Sequence, residues 1–203
     1  MKDGLFPLQA TGIRIYIDAV DALSDVVQSE ETMDIRTCRL LADYNTQTNA
    51  AMNSIIRSLS PAGWKREFQG YFSSIQSLCN HIYICDFNWL KRFSALRTYQ
   101  YITDPVFENE LNFGATVLEE IEEYISKREV FDKNIIQFTS ELKQSDMDRI
   151  LTYTDSHNVI HKRLFGGLVI HFFNHQTHHR GMISIYLENL KIQNDFSNLS
   201  DML

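Results

Sequence analysis

The chain has 203 residues, 19 of them basic and 26 acidic, for a formal net charge of -7. That length suits a single domain with a substantial core, and the acidic balance lacks the cationic footprint of a nucleic-acid binder. Three cysteines (Cys38, Cys79, Cys85) make no disulfide framework. No stretch approaches the roughly 20 apolar residues of a membrane helix, and Asp3, Arg14 and Asp18 interrupt any apolar leader, so a cytoplasmic protein with no nucleic-acid or membrane partner is expected.

Residues 1–32 read as an N-terminal extension packing on the main domain, with "IRIYIDAVDALSDVVQ" forming an amphipathic helix or a strand that leads into one. Residues 33–203 form the domain proper. From Met33 to about Leu59, Ile35, Cys38, Leu41, Ala42, Asn45, Asn49, Met52, Ile55, Ile56 and Leu59 recur at spacings of three and four, one face of a helix. Asp34 is its candidate cap and "SPAGW" ends it. A second helix is expected from Phe72 to about Leu96, with Phe72, Ile75, Cys79, Ile82, Trp89 and Phe93 on one stripe.

Asp104 and Pro105 mark the next boundary. A third helix is expected from about Val106 to Arg128, through Leu111, Phe113, Ala115, Val117, Leu118, Ile121 and Ile125, with a basic end that suits the helix dipole. "FTSELKQSDMDRI" then reads as a loop or short helical turn. "ILTYTDSHNVIHKRLF" places β-branched and aromatic residues on either side of the turn tetrapeptide "DSHN", which predicts a short hairpin. The helical pattern returns from about Phe165 to Leu190. Four helices of about 20 residues, with an irregular or hairpin insert before the last, describe an all-α four-helix bundle.

The last helix carries "HFFNHQTHHRG", and at about 100° per residue His175 and His179 fall among its apolar side chains Leu168, Phe172, Ile183, Tyr186 and Leu190. His171 and His178 fall at the edge of that face or beyond it. Two imidazoles four apart on one face converge on a point, and an apolar surround keeps them neutral and able to coordinate a metal. The same spacing also fits two core-edge histidines satisfied by ordinary hydrogen bonds. A metal site needs a third ligand from elsewhere: His81 of the second helix, His157 or His161 of the hairpin, or an acid such as Asp43 or Asp86. Asp86 and Asn49 are also candidate partners for the rings, though Asp86 fits an ion pair equally well. Arg180 reads as lying toward the polar side of its helix, facing the acids of helix three or a second subunit.

Three blocks, "LLADYNTQTNAAM" (40–52), "SSIQSLCNHIYICDFNWLKRF" (73–93) and "VIHFFNHQTHHRGMI" (169–183), resemble in order and spacing those of the DinB/YfiT-like superfamily. The resemblance implies an up-down-down-up four-helix bundle, commonly a homodimer. It also implies a divalent metal held by one histidine of the second helix and the His-x-x-x-His of the last, here His81, His175 and His179. Met182 stands where the family block usually carries a glutamine. Relatives include transferases and isomerases that use a low-molecular-weight thiol such as bacillithiol or mycothiol. Three neutral imidazoles suit zinc or nickel and leave the ion room for a further ligand. The chain is therefore expected to be a metal-dependent transferase or hydrolase acting on a small molecule, with a non-catalytic metal-binding dimer of structural or stress-response sensory role as the alternative.

Overall fold

A computed structural model describes residues 33–108, 110–111 and 114–203, so the expected N-terminal extension lies outside the described residues. Four long helices carry the domain: α1 (Ile35–Arg57), α2 (Ile75–Phe93), α3 (Ile121–Glu141) and α4 (Phe165–Asn189). Between α3 and α4 a two-stranded antiparallel sheet forms from β1 (Ile150–Thr154) and β2 (Ile160–Leu164), with Ile150 opposite Leu164 and Thr154 opposite Ile160. Both α1 and α2 pack on α3 and on α4.

Local chemistry explains most of the boundaries. The Asp34 carboxylate accepts the Arg36 N–H at the start of α1, and a single turn at Pro61–Trp64, capped by Ser60, closes the helix off. Ser74 and Ser77 form a reciprocal capping box at the start of α2. In the hairpin, Asp155 accepts the N–H groups of His157 and Val159, and Asn158 takes a left-handed backbone with φ 63°, a conformation asparagine tolerates well. The core between the helices is rich in fully buried aromatics, among them Trp64, Phe87, Phe93, Phe131, Phe138 and Phe172.

The third helix differs from expectation. Pro105–Phe107 is one 3-10 turn capped by Asp104, and α3 begins only at Ile121. Among the described residues between them, Leu111, Ala115, Val117 and Leu118 lie in non-helical backbone that is pinned to α2. Asn80 accepts the N–H groups of Val117 and Leu118 and donates to the Leu118 carbonyl, while Asn88 donates to the Leu111 carbonyl. These side-chain bonds take the place of a helical ladder. At its other end α3 runs past Arg128 to Glu141, because Phe131, Ile135 and Phe138 are fully buried on it. Arg128 is thus interior rather than a basic terminus, and the stretch from Gln144 to Asp146 is a further 3-10 turn.

Candidate metal centre

His81 lies on the second turn of α2, and His175 and His179 lie one turn apart in the middle of α4. Packing of α2 on α4 brings the three side chains together. Their Nε2 atoms form a triangle with every edge 3.1 Å. Three nitrogens at 2.0–2.1 Å from one ion would be about 2.9 Å apart for right-angled coordination and about 3.3 Å apart for a tetrahedron. The observed edge lies between those limits, so the donor set fits a transition-metal-sized cation without rearrangement.

Burial also suits that chemistry. His179 is buried and the other two are half-buried. Burial, reinforced by the neighbouring histidines, pushes the His175 imidazole down to about 3 and the His179 imidazole down to about 4. Burial likewise lowers that of His81. Each ring therefore stays neutral, with a lone pair to give. The Nδ1 atoms of His175 and His179 are buried and find no hydrogen-bond partner among the described residues. Ring packing surrounds the cluster instead: the Phe72 centroid lies 4.4 Å from that of His81 and 5.3 Å from that of His179, and the His175 centroid lies 5.0 Å and 4.4 Å from those same two rings. The Cys85 sulfur sits 3.6 Å from His81, with burial pushing its thiol up to about 12.

Phe72 is itself held in place. The Tyr186 hydroxyl donates to the Phe72 carbonyl at 2.5 Å, and the Tyr186 ring stacks on Phe68 at 4.3 Å. A Cβ added at Gly70 would come within 2.6 Å of the Tyr186 hydroxyl, at a φ of 158° that residues with a side chain rarely adopt, so glycine lets the backbone pass there without displacing Tyr186. The stretch "FQGYFS" is therefore strapped against the histidines, and its base is closed by the Phe68 N–H donating to the Ser73 carbonyl.

Other candidates lie elsewhere. His171, His178 and His157 are exposed, His161 pairs with Asp155 at 2.8 Å in the hairpin, and Asp43 is exposed on α1. Asp86 faces Arg128 rather than a histidine, its Oδ2 lying 2.5 Å from the guanidinium. Asn49 donates to Asp132 at 2.9 Å and does not approach the rings. Arg180 is buried, contrary to expectation, and hydrogen-bonds Asn45 and Asn49 of α1. Met182 is partly buried against the core.

These residues form a polar layer that touches all four long helices. Arg128 is fully buried between Asp86 of α2 and Asp132 of its own helix, and Asp132 also receives the amides of Asn45 and Asn49. Burial pushes the Asp86 carboxyl up to about 6 even with the arginine beside it. The layer was missed in the sequence, although Asn45 and Asn49 on an otherwise apolar face signal a buried polar partner. By tying α2 and α4 to the same layer, it helps fix how those helices turn toward each other on the histidine side.

Among the described residues, no helix is long and apolar enough to cross a membrane. Protein DinB of Bacillus subtilis (strain 168) is 26% identical to this chain over 147 residues, which cover 72% of the chain and 82% of the relative. The family model for the DinB family matches residues 29–190, a span that includes α1 through α4 and all three clustered histidines, and the chain belongs to that family.

Proposed function

We propose that His81, His175 and His179 hold one divalent ion, zinc or nickel, and that the protein is a metal-dependent transferase or hydrolase of small molecules, with a low-molecular-weight thiol as a co-substrate. The observation that carries this reading is the triangle of neutral Nε2 donors 3.1 Å apart. When bound, the ion supplies Lewis acidity that lowers the pKa of a protic ligand. The chain's own residues do the rest. The three imidazoles bind without neutralising the double charge, Phe72 screens two of the rings from water, and Tyr186 keeps Phe72 there.

The packing of α1 and α2 on both α3 and α4 supports a four-helix bundle, for which we propose the up-down-down-up course. The exposed cross-strand pair Ile150 and Leu164 supports a homodimer built on the outer face of the hairpin. The second reading, a structural or sensory ion in a non-catalytic dimer, draws on the close packing of Phe72 over two of the rings. A screen of the metal-loaded protein with several small thiols and electrophilic or hydrolysable substrates separates the two. Turnover that disappears in His175→Ala together with the metal supports the enzyme, whereas a blank screen with a large loss of thermal stability on metal removal supports the second reading.

A further inference from the structure

Against His81, on the side of α2 that faces the 114–116 segment, the structure holds a cavity of about 100 Å³. His81 and Phe72 belong both to this cavity and to the histidine cluster, so the two spaces are separated by no more than a side chain. Ile84, only 1% exposed, forms the inner wall, and Ala115 faces it from the connecting segment. Gly114 and Thr116, both exposed, stand at the rim.

Two polar side chains on the α2 wall, Asn80 and Ser77, are already bonded to backbone, and the Thr116 hydroxyl stands at the exposed rim. Asn80 donates to the carbonyls of Gln76 and Leu118 and accepts from the N–H groups of Val117 and Leu118. The Ser77 hydroxyl donates to the Ser74 carbonyl and accepts the Ser74 N–H. Asn80 has no capacity left to orient a polar guest and Ser77 keeps a single acceptor lone pair, and a guest that displaced those bonds would leave buried groups unpaired. What the cavity offers is apolar contact from Phe72, Ile84 and Ala115. Its volume is about two-thirds of the roughly 150 Å³ that admits a benzene ring in a dry protein cavity, which leaves room for a chain of about four carbons.

We propose that this cavity is the subsite for a short alkyl group, three to four carbons long, on the compound whose polar head group binds at the histidine cluster. The inference rests on the metal reading and adds to it the shape and polarity of the substrate. Phe72 is the wall common to both spaces, and the Tyr186 hydroxyl holds that wall in place.

The test uses the full chain loaded with cobalt(II), whose visible absorption reports the metal site, titrated with straight-chain alkyl hydroxamates carrying one to eight alkyl carbons. Affinity is expected to rise about fourfold for each added methylene up to about four alkyl carbons and then to level off. In Ala115→Leu, which fills the cavity from the connecting segment, the four-carbon compound is expected to bind about tenfold more weakly, with cobalt loading and the one-carbon compound unaffected. Equal binding of the short and four-carbon chains, or a rise that continues unchanged to eight carbons, overturns the inference from the wild-type series alone. An Ala115→Leu series that matches wild type overturns it as well. Failure to obtain a cobalt spectrum would instead remove the metal reading, and this inference with it.

Discussion

Replacing Arg128 by methionine keeps much of the side-chain length and removes the cation that pairs with Asp86 and Asp132. Arg128 and Asp86 are 0% exposed and Asp132 is 5% exposed, so water cannot replace the lost partner. Asp132 retains the Asn49 amide at 2.9 Å, whereas Asp86 already has one oxygen with no partner and would lose the guanidinium from the other. Removing one member of a buried ion pair costs about 3–5 kcal/mol. For a domain of this size that is about 6–20 °C in melting temperature.

The pH dependence gives the more specific check. Burial already raises the Asp86 carboxyl to about 6, and without the arginine it rises further above its unfolded value, as does that of Asp132. Below those raised values the folded state of Arg128→Met binds more protons than the unfolded state, so its stability rises as pH falls. The deficit relative to wild type, read from urea midpoints, should therefore be smaller at pH 5.5 than at pH 7.5. A loss under about 1 kcal/mol, or a deficit that does not change with pH, would refute the buried charged layer.

Other consequences follow from the same geometry. The imidazoles of His175 and His179 lie near 3 and 4 in the folded state against about 6.5 when unfolded. The unfolded chain therefore takes up more protons below about 6.5, and the ion-free protein should lose stability as the pH falls from there toward 4. A His175→Ala, His179→Ala double variant should show a shallower decline in denaturant midpoint. Tyr186→Phe removes the bond to the Phe72 carbonyl and should cost about 1 kcal/mol. It should also speed metal extraction by a chelator, measured by stopped flow, and an unchanged extraction rate would deny the strap any part in shielding the site. The double variant Ile150→Glu, Leu164→Glu should shift the mass seen by light scattering from dimer to monomer with helicity preserved; a wild-type monomer would dismiss the hairpin interface.

The legible parts of the sequence were those where side-chain periodicity and local capping agree. The last helix could be placed from its apolar spacing, and the same calculation set His175 and His179 apart from His171 and His178 because burial follows angular position on one helix. The hairpin was readable because "DSHN" closes its turn with bonds internal to four or five residues. The third helix failed at both ends for tertiary reasons. Leu111, Val117 and Leu118 have helix-like spacing, but Asn80 and Asn88 of another helix hold their backbone in non-helical conformations. Arg128 looks like a helix terminus until Asp86, which is 42 residues away, is known to face it. His81 could be singled out only by family resemblance, since its place beside the other two depends on how α2 docks on α4.

Metal content most directly tests the central claim. Protein purified without added metal, or reloaded after chelation, should carry one divalent ion per chain by elemental analysis. His81→Ala, His175→Ala and His179→Ala should each lose it, whereas His171→Ala and His178→Ala should retain it. Loss of binding in either of the last two variants, or full occupancy in any of the first three, would contradict the assignment of the ion to this triangle of nitrogens.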